Sequence, residues 1–199
     1  ECEAAGVARS DRAARTDEMV EVMRLLWSGE PVTYRGRFYS LTDVVVQPRP
    51  VRPELPPIWV GGRSMAALRR VARLGDGWLA SQVTPEEVAV GKSTIDVLAQ
   101  ENGRSIDDDH HGVILTCCFS NTRAEAERLA GPYLIPGRKR ADVPAERLDG
   151  LGTVADVTAL LDEFVEAGAT KFVLRAACPP EMMGEQLRVL VDEVMPQYH

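Results

Sequence analysis

The sequence predicts an α/β fold: a parallel sheet of about four strands with helices between them, and about half the units of a (β/α)8 barrel. Three observations lead there. From residue 58 onward, short apolar runs alternate with helical patterns, as in strands joined by crossover helices. Val113 to Phe119 is an apolar run of the kind that is buried on both faces of a sheet. The chain has 199 residues, whereas a complete barrel usually needs ~250. That length fits a single domain over 1–199, in which residues 30–56 supply a β-hairpin insertion and a proline-rich connector.

Each element has its own signal. Arg12 to Trp27 is helical: Met19, Val22, Met23 and Leu26 follow the spacing of one face, Ser10 or Asp11 can cap the start, and Gly29 lies past the end. No strand precedes this helix, as though the text began mid-unit. Two β-prone runs between Pro31 and Leu41 flank Arg35-Gly36 and read as a hairpin. An extended stretch, Val44 to Gln47, leads into Pro48, Pro50, Pro53, Pro56 and Pro57, which forbid helix. Ile58-Trp59-Val60 is a strand, and Ser64 to Leu74 a helix with Leu68, Val71 and Ala72 inward. Gly75-Asp76-Gly77 opens the strand Trp78 to Ala80. Thr84 caps a helix that begins Pro85-Glu86-Glu87, with acids at the positive end of its dipole, and runs to about Gln100. Beyond the strand Val113 to Phe119, Asn121 or Thr122 caps Arg123 to Ala130. Gly131 to Gly152 has no clear period and reads as a loop or broken helix. Thr153 to Ala167 is amphipathic, with Val154, Val157, Leu161, Phe164 and Val165 inward, and Gly168 stops it. Thr170 to Leu174 is the last strand and Pro180 to Val194 the last helix.

With 45% apolar and 27% charged residues, the composition is that of an ordinary globular chain, which excludes disordered and collagen-like classes. No apolar run approaches the ~20 residues that cross a bilayer, and the start shows no signal peptide. The chain opens on Glu1 rather than Met, so an N-terminal segment is expected to have been removed or never included. A net charge of −7 without a basic stripe argues against nucleic acid; the basic and aromatic residues from Tyr34 to Tyr39 read as a solvated ribbon. Cys2, Cys117, Cys118 and Cys178 form no C-x-x-C, so zinc and thioredoxin-like chemistry fail, and reduced cytoplasmic thiols are expected. On a strand, Cys117 and Cys118 point to opposite faces. His110 and His111 have no third ligand in sequence, and no metal is assigned. Nothing resembles a Ser-His-Asp or G-x-S-x-G arrangement.

The best chemical candidate is Gly61-Gly62-Arg63-Ser64, between a strand and a helix. Glycines let the backbone approach an anion, the helix N-terminus offers free N–H groups, Arg63 adds charge, and Ser64 can cap the helix or donate to a phosphate. A plain turn with Ser64 as cap is the alternative. This is neither a Rossmann nor a Walker loop, which disfavours NAD and ATP. Ser81 and Gln82 follow a strand, where a barrel's active site faces, or else form a solvent-exposed turn. Arg175 ends the last strand and could meet an anionic substrate or cofactor tail, or make a surface salt bridge. Asp76 precedes its strand and reads as a turn residue.

Taken in order, several motifs resemble the luciferase-like monooxygenase superfamily, and most closely its class dependent on the deazaflavin coenzyme F420. They are Arg15-Thr-Asp-Glu18 with Leu25-Leu-Trp-Ser-Gly29, Tyr34-Arg-Gly-Arg-Phe-Tyr39, Gln47-Pro-Arg-Pro50, Pro56-Pro-Ile-Trp-Val-Gly-Gly62, Gly75-Asp-Gly-Trp78 and Ala167-Gly-Ala-Thr-Lys-Phe-Val-Leu174. The resemblance implies the C-terminal half of a (β/α)8 TIM barrel, with the first four strands absent. It implies that Gly61, Gly62, Arg63, Ser64 and Met65 hold the cofactor phosphate, and that Ser81, Gln82 and Arg175 line the substrate pocket. The catalytic acid or base is expected in the absent half, so none is assigned here. The activity implied is hydride transfer between F420 and a small organic substrate. A monooxygenase using reduced FMN and oxygen is the alternative, and a non-catalytic half-barrel that assembles with another chain is a second one. The family often forms dimers, so a homo-dimer in the cytoplasm, without membrane or nucleic acid, is expected.

Overall fold

The computed structural model describes residues 4–52, 55–134, 140 and 142–198. Cys2, Pro53 and part of the Gly131–Gly152 stretch lie outside them. The chain divides into two compact units, 1–58 and 59–199, at the end of the proline-rich connector.

In the first unit, helix α1 spans Arg12–Leu26, and strands β1 (Val32–Arg35) and β2 (Ser40–Val44) pair antiparallel as the expected hairpin. The extended stretch from Val44 is therefore shorter than its sequence suggests, since only Val44 itself belongs to a strand. The α1 carboxylate of Glu18 accepts hydrogen bonds from the backbone N–H groups of Arg37, Phe38 and Tyr39 at 2.8 to 3.2 Å. The hairpin turn thus closes around an acid, and a Cβ on Gly36 would displace the Glu18 carboxylate from it. Two expectations fail on α1. Asp11 occupies the cap position but spends its carboxylate on Arg37 at 2.8 Å, and Met19 is exposed while Val20 and Val22 are buried.

The second unit is built on an all-parallel sheet of five strands. In chain order they are β3 (Trp59–Gly61), β4 (Gly77–Ser81), β5 (His111–Phe119), β6 (Asp149–Gly152) and β7 (Lys171–Ala176). Between them lie α2 (Met65–Leu74), α3 (Pro85–Glu101), α4 (Arg123–Ala130) and α5 (Val154–Glu166). Strand β5 is the centre. Along one edge it pairs with β7, from Gly112↔Lys171 to Cys117↔Ala176. Its other edge is shared in succession by β4, over His111 to Ile114, and β6, over Thr116 to Phe119. β3 pairs with β4 alone and β7 with β5 alone among the described residues, which leaves each with an open edge. Strand β6 corrects the reading of its segment as loop: Asp-Gly-Leu-Gly has two glycines and no apolar run, so nothing local announces a strand.

Helix starts follow their capping chemistry. Ser64, Thr84, Thr122 and Thr153 each accept a hydrogen bond from a backbone N–H of the first turn, and Thr84–Glu87 and Thr153–Asp156 are reciprocal capping boxes. The main core lies under the helices: Trp78, Ala80, Val113, Leu115, Cys117 and Phe119 from the strands meet Val71, Ile95, Leu161 and Phe164. Cys118 points the other way, into a smaller cluster with Leu151, Ala126 and Cys178, as strand alternation requires. Val165, expected inward, is exposed. The final helix is not uniform. A 3₁₀ turn at Pro180–Met182 precedes α6 (Met183–Val189), which widens into π-type turns over Leu190–Val194 and tightens again over Met195–Tyr198. On the sheet face away from the helices, Trp59, Leu79 and Ile114 are only partly buried and Val173 is exposed.

Candidate functional site

The turn from β3 to α2 is shaped by glycine and held by tryptophan. Gly62 has φ +105°, a conformation that favours glycine, and a Cβ there would stand 3.0 Å from that of Ala67. Its carbonyl accepts the indole N–H of the buried Trp78 at 2.7 Å. That bond occupies one acceptor of the turn. Ser64 accepts from the Ala67 N–H at 3.3 Å, and Gly61, Gly62, Arg63, Ser64 and Met65 are all exposed. Arg63 makes no hydrogen bond or ion pair among the described residues. A guanidinium, a hydroxyl and a helix N-terminus with no acid in its first turn form a donor set that suits a phosphate. Arg63 and Met65 also rim a hollow of about 340 Å³ between α2 and α3, with Leu68, Trp78 and Val90 in its wall.

A second site lies beyond the C-terminal ends of the strands. Gln82, just past β4, has φ +56°; its side chain donates to Asp149 Oδ1 at 3.4 Å, and its carbonyl accepts from Arg140 at 3.2 Å. Arg140 is nearly buried and also holds Glu87, at 2.6 Å, and Asp142, at 2.6 Å. Burial alone would push the Glu87 carboxyl up, but the Arg140 guanidinium and the Thr84 N–H outweigh it and hold Glu87 below the usual range, with Arg63 adding a pull. From β7, Arg175 donates through Nη2 to Thr116 Oγ1 at 3.2 Å across the β5–β7 pair, and its Nε is buried without an acceptor. Gln82, Thr116, Arg140, Asp149 and Arg175 line a cavity of about 350 Å³, within the usual size range of ligand pockets.

The structure therefore brings Gln82 and Arg175 to one cavity and leaves Ser81 and the glycine turn outside its lining. Thr116, Arg140 and Asp149 were not singled out from the sequence. Thr116 interrupts an apolar run, which is a usable signal; its pairing with Arg175, 59 residues away, is not written locally.

Other candidates separate from these sites. Asp76 has the turn role expected of it and receives Arg104 at 3.3 Å. Asp107, Asp109 and His110 bring ligand atoms within 4.8 Å of one another, but Asp109 is engaged by Lys171 at 2.8 Å, and His110 Nδ1 lies 2.6 Å from the Asp76 carbonyl. Burial pushes the Cys117 thiol up to about 12, which removes it as a nucleophile near neutral pH. No helix among the described residues is long and apolar enough to cross a membrane.

Comparison with known proteins gives a consistent set. The sequence model of the luciferase-like monooxygenases matches residues 1–195. An F420-dependent glucose-6-phosphate dehydrogenase of Intrasporangium calvum is 25% identical over 187 residues, 92% of this chain and 53% of that enzyme. Among solved structures, the monooxygenase RslO1 of Streptomyces bottropensis superposes with a TM-score of 0.79 at 22% identity, covering 100% of this chain and 65% of that one. An F420-dependent secondary alcohol dehydrogenase, solved with an F420-acetone adduct, gives a TM-score of 0.79 at 22% identity, covering 100% and 66%. The chain spans about half the length, or less, of the curated relatives it matches.

Proposed function

The chain belongs to the luciferase-like monooxygenase family, and from that premise we propose that it is the cofactor-phosphate half of a barrel oxidoreductase that uses coenzyme F420. The observation that carries the reading is the turn Gly61–Met65: exposed donors, no acid in the first turn of α2, and a carbonyl drawn away by Trp78. Arg63 and the Ser64 hydroxyl would hold the cofactor phosphate, with the N–H groups at the start of α2 behind them. Bound there, the deazaflavin supplies hydride chemistry. Gln82 and Arg175 line the substrate pocket, and Ser81, at the end of β4, precedes Gln82 outside that lining. The open edges of β3 and β7 and the exposed Val173 fit a sheet that further strands complete as a barrel.

A monooxygenase using reduced FMN is the second reading, favoured by the likeness to the oxygenating constituent of 3,6-diketocamphane monooxygenase of Pseudomonas putida, solved with FMN (TM-score 0.67, 19% identity, covering 92% of this chain and 62% of that one). A third, in which this half-barrel is non-catalytic and assembles with another chain, is favoured by the same open edges and by the exposed stripe Met183, Leu187, Val191 and Met195. Titrating F420 and FMN separately while following tryptophan fluorescence separates the cofactors, because Trp78 touches the turn. F420 should quench with a micromolar Kd, and FMN should bind roughly tenfold more weakly or worse. Micromolar FMN binding without F420 binding overturns the leading reading.

A further inference from the structure

We propose that the cavity at the strand ends takes a substrate bearing an oxyanion group, a carboxylate or a phosphate, with Arg175 as its counter-charge. This deepens the proposed function and rests on reading that cavity as the substrate pocket. Arg175 is partly buried and makes no ion pair among the described residues; its Nη2 donates only to the neutral hydroxyl of Thr116, and its Nε has no acceptor at all. A guanidinium is always charged, and withdrawing one from water without a counter-charge is costly. Its planar fork of donors matches carboxylate and phosphate oxygens. Among the described residues the other basic group in the wall, Arg140, is already neutralised by Glu87 and Asp142, which leaves Arg175 as the described wall cation without an ion pair. Thr116, having accepted from Arg175, keeps its own hydroxyl proton for the ligand. Glu127 and Asp149 also line the cavity, and neither pairs with Arg175.

The test uses the chain itself with acetate and inorganic phosphate as separate probes, ionic strength being held constant with chloride. The readout is the Arg175 Nε–H resonance, identified by its loss in Arg175→Lys. We expect at least one probe to shift that resonance saturably. Its affinity, read independently from the melting temperature, should fall roughly tenfold or more in Arg175→Gln and only a few-fold in Thr116→Val. Acetate acting alone assigns a carboxylate, and phosphate acting alone assigns a phosphate. If phosphate moves the backbone amides of Gly62 to Met65 while Arg175 stays still, the proposal is overturned and the cofactor turn stands. If neither probe moves the Arg175 resonance at concentrations of about 50 mM, far above any useful affinity, the proposal is overturned; the F420 titration then decides the cofactor reading separately.

Discussion

The Trp78 indole donates to the Gly62 carbonyl at 2.7 Å, tying the floor of the core to the exposed turn between β3 and α2. Trp78 is wedged in place from the other side, where a Cβ on Gly91 would stand 2.3 Å from its Cη2. Trp78→Phe removes the hydrogen bond and leaves a void, which should cost about 1–3 kcal/mol. Gly91→Ala should cost a similar ~1–3 kcal/mol by overpacking, although Gly91 itself does not touch the turn. Both should lower the melting temperature. If the turn depends on Trp78 for its shape, both should also weaken F420 binding. Full affinity in a destabilised Gly91→Ala would show that the indole position does not matter to the turn.

Glu18 and Gly36 make a comparable pair in the first unit. One carboxylate collects three backbone N–H groups of the hairpin turn, so Glu18→Ala should cost about 1–2 kcal/mol, the lower part of the range for charged hydrogen bonds, because the site is partly exposed. Gly36→Ala drives a methyl into the same carboxylate. The double variant should cost less than the sum, since the second change acts on a contact already lost. Amide exchange at Phe38 and Tyr39 is the measurement, and unchanged protection in Glu18→Ala would sink the idea.

His111 should make the second unit acid-sensitive. It is 1% exposed, and neither ring nitrogen has a partner. Burial holds the imidazole below its ordinary value of 6.5; Lys92 and His110 push it the same way, and Asp96 and Asp108 oppose them. The ring is therefore neutral when folded, and the unfolded chain binds the proton more readily. Stability from this group is complete above about pH 6.5 and is lost as pH falls toward the depressed folded value. Urea midpoints between pH 7.5 and 5.5 should fall for the native chain and fall less for His111→Leu. Parallel curves would assign the acid limb to other groups.

Much of this fold is legible in the sequence because its signals are local. Thr84-Pro85-Glu86-Glu87 and Ser64 announce helix starts by capping chemistry, and both helices begin there. The apolar run ending at Phe119 announces the central strand, extended by two residues to His111. What fails is what depends on partners. Met19 has the spacing of a buried face, yet Val20 is buried instead, because neighbours and not periodicity choose the face of α1. Strand β6 exists because β5 has a free edge beyond Ile114, a property of the sheet and not of Asp149–Gly152. The site divides the same way. Gln82 and Arg175 follow from the rule that strand ends face a barrel's active site, whereas the contacts of Thr116 and Arg140 depend on register and on long-range pairing.

The glycine turn gives the sharpest test of the cofactor reading, because its two side chains should behave differently. Arg63 is exposed and makes no ion pair or hydrogen bond among the described residues, so Arg63→Ala should leave the melting temperature nearly unchanged. If the guanidinium meets the cofactor phosphate, that charge-assisted contact contributes ~1.5–3 kcal/mol, and F420 affinity should fall roughly tenfold or more. Ser64 already caps α2 through the Ala67 N–H, so Ser64→Ala should cost ~1 kcal/mol of stability whether or not a cofactor binds. Only a role at the phosphate adds a loss of affinity to that loss of stability. Melting curves with and without F420, run beside a fluorescence titration for each variant, separate the two contributions. Native affinity in both variants, with Ser64→Ala merely less stable, would reduce Gly61–Met65 to a capped turn.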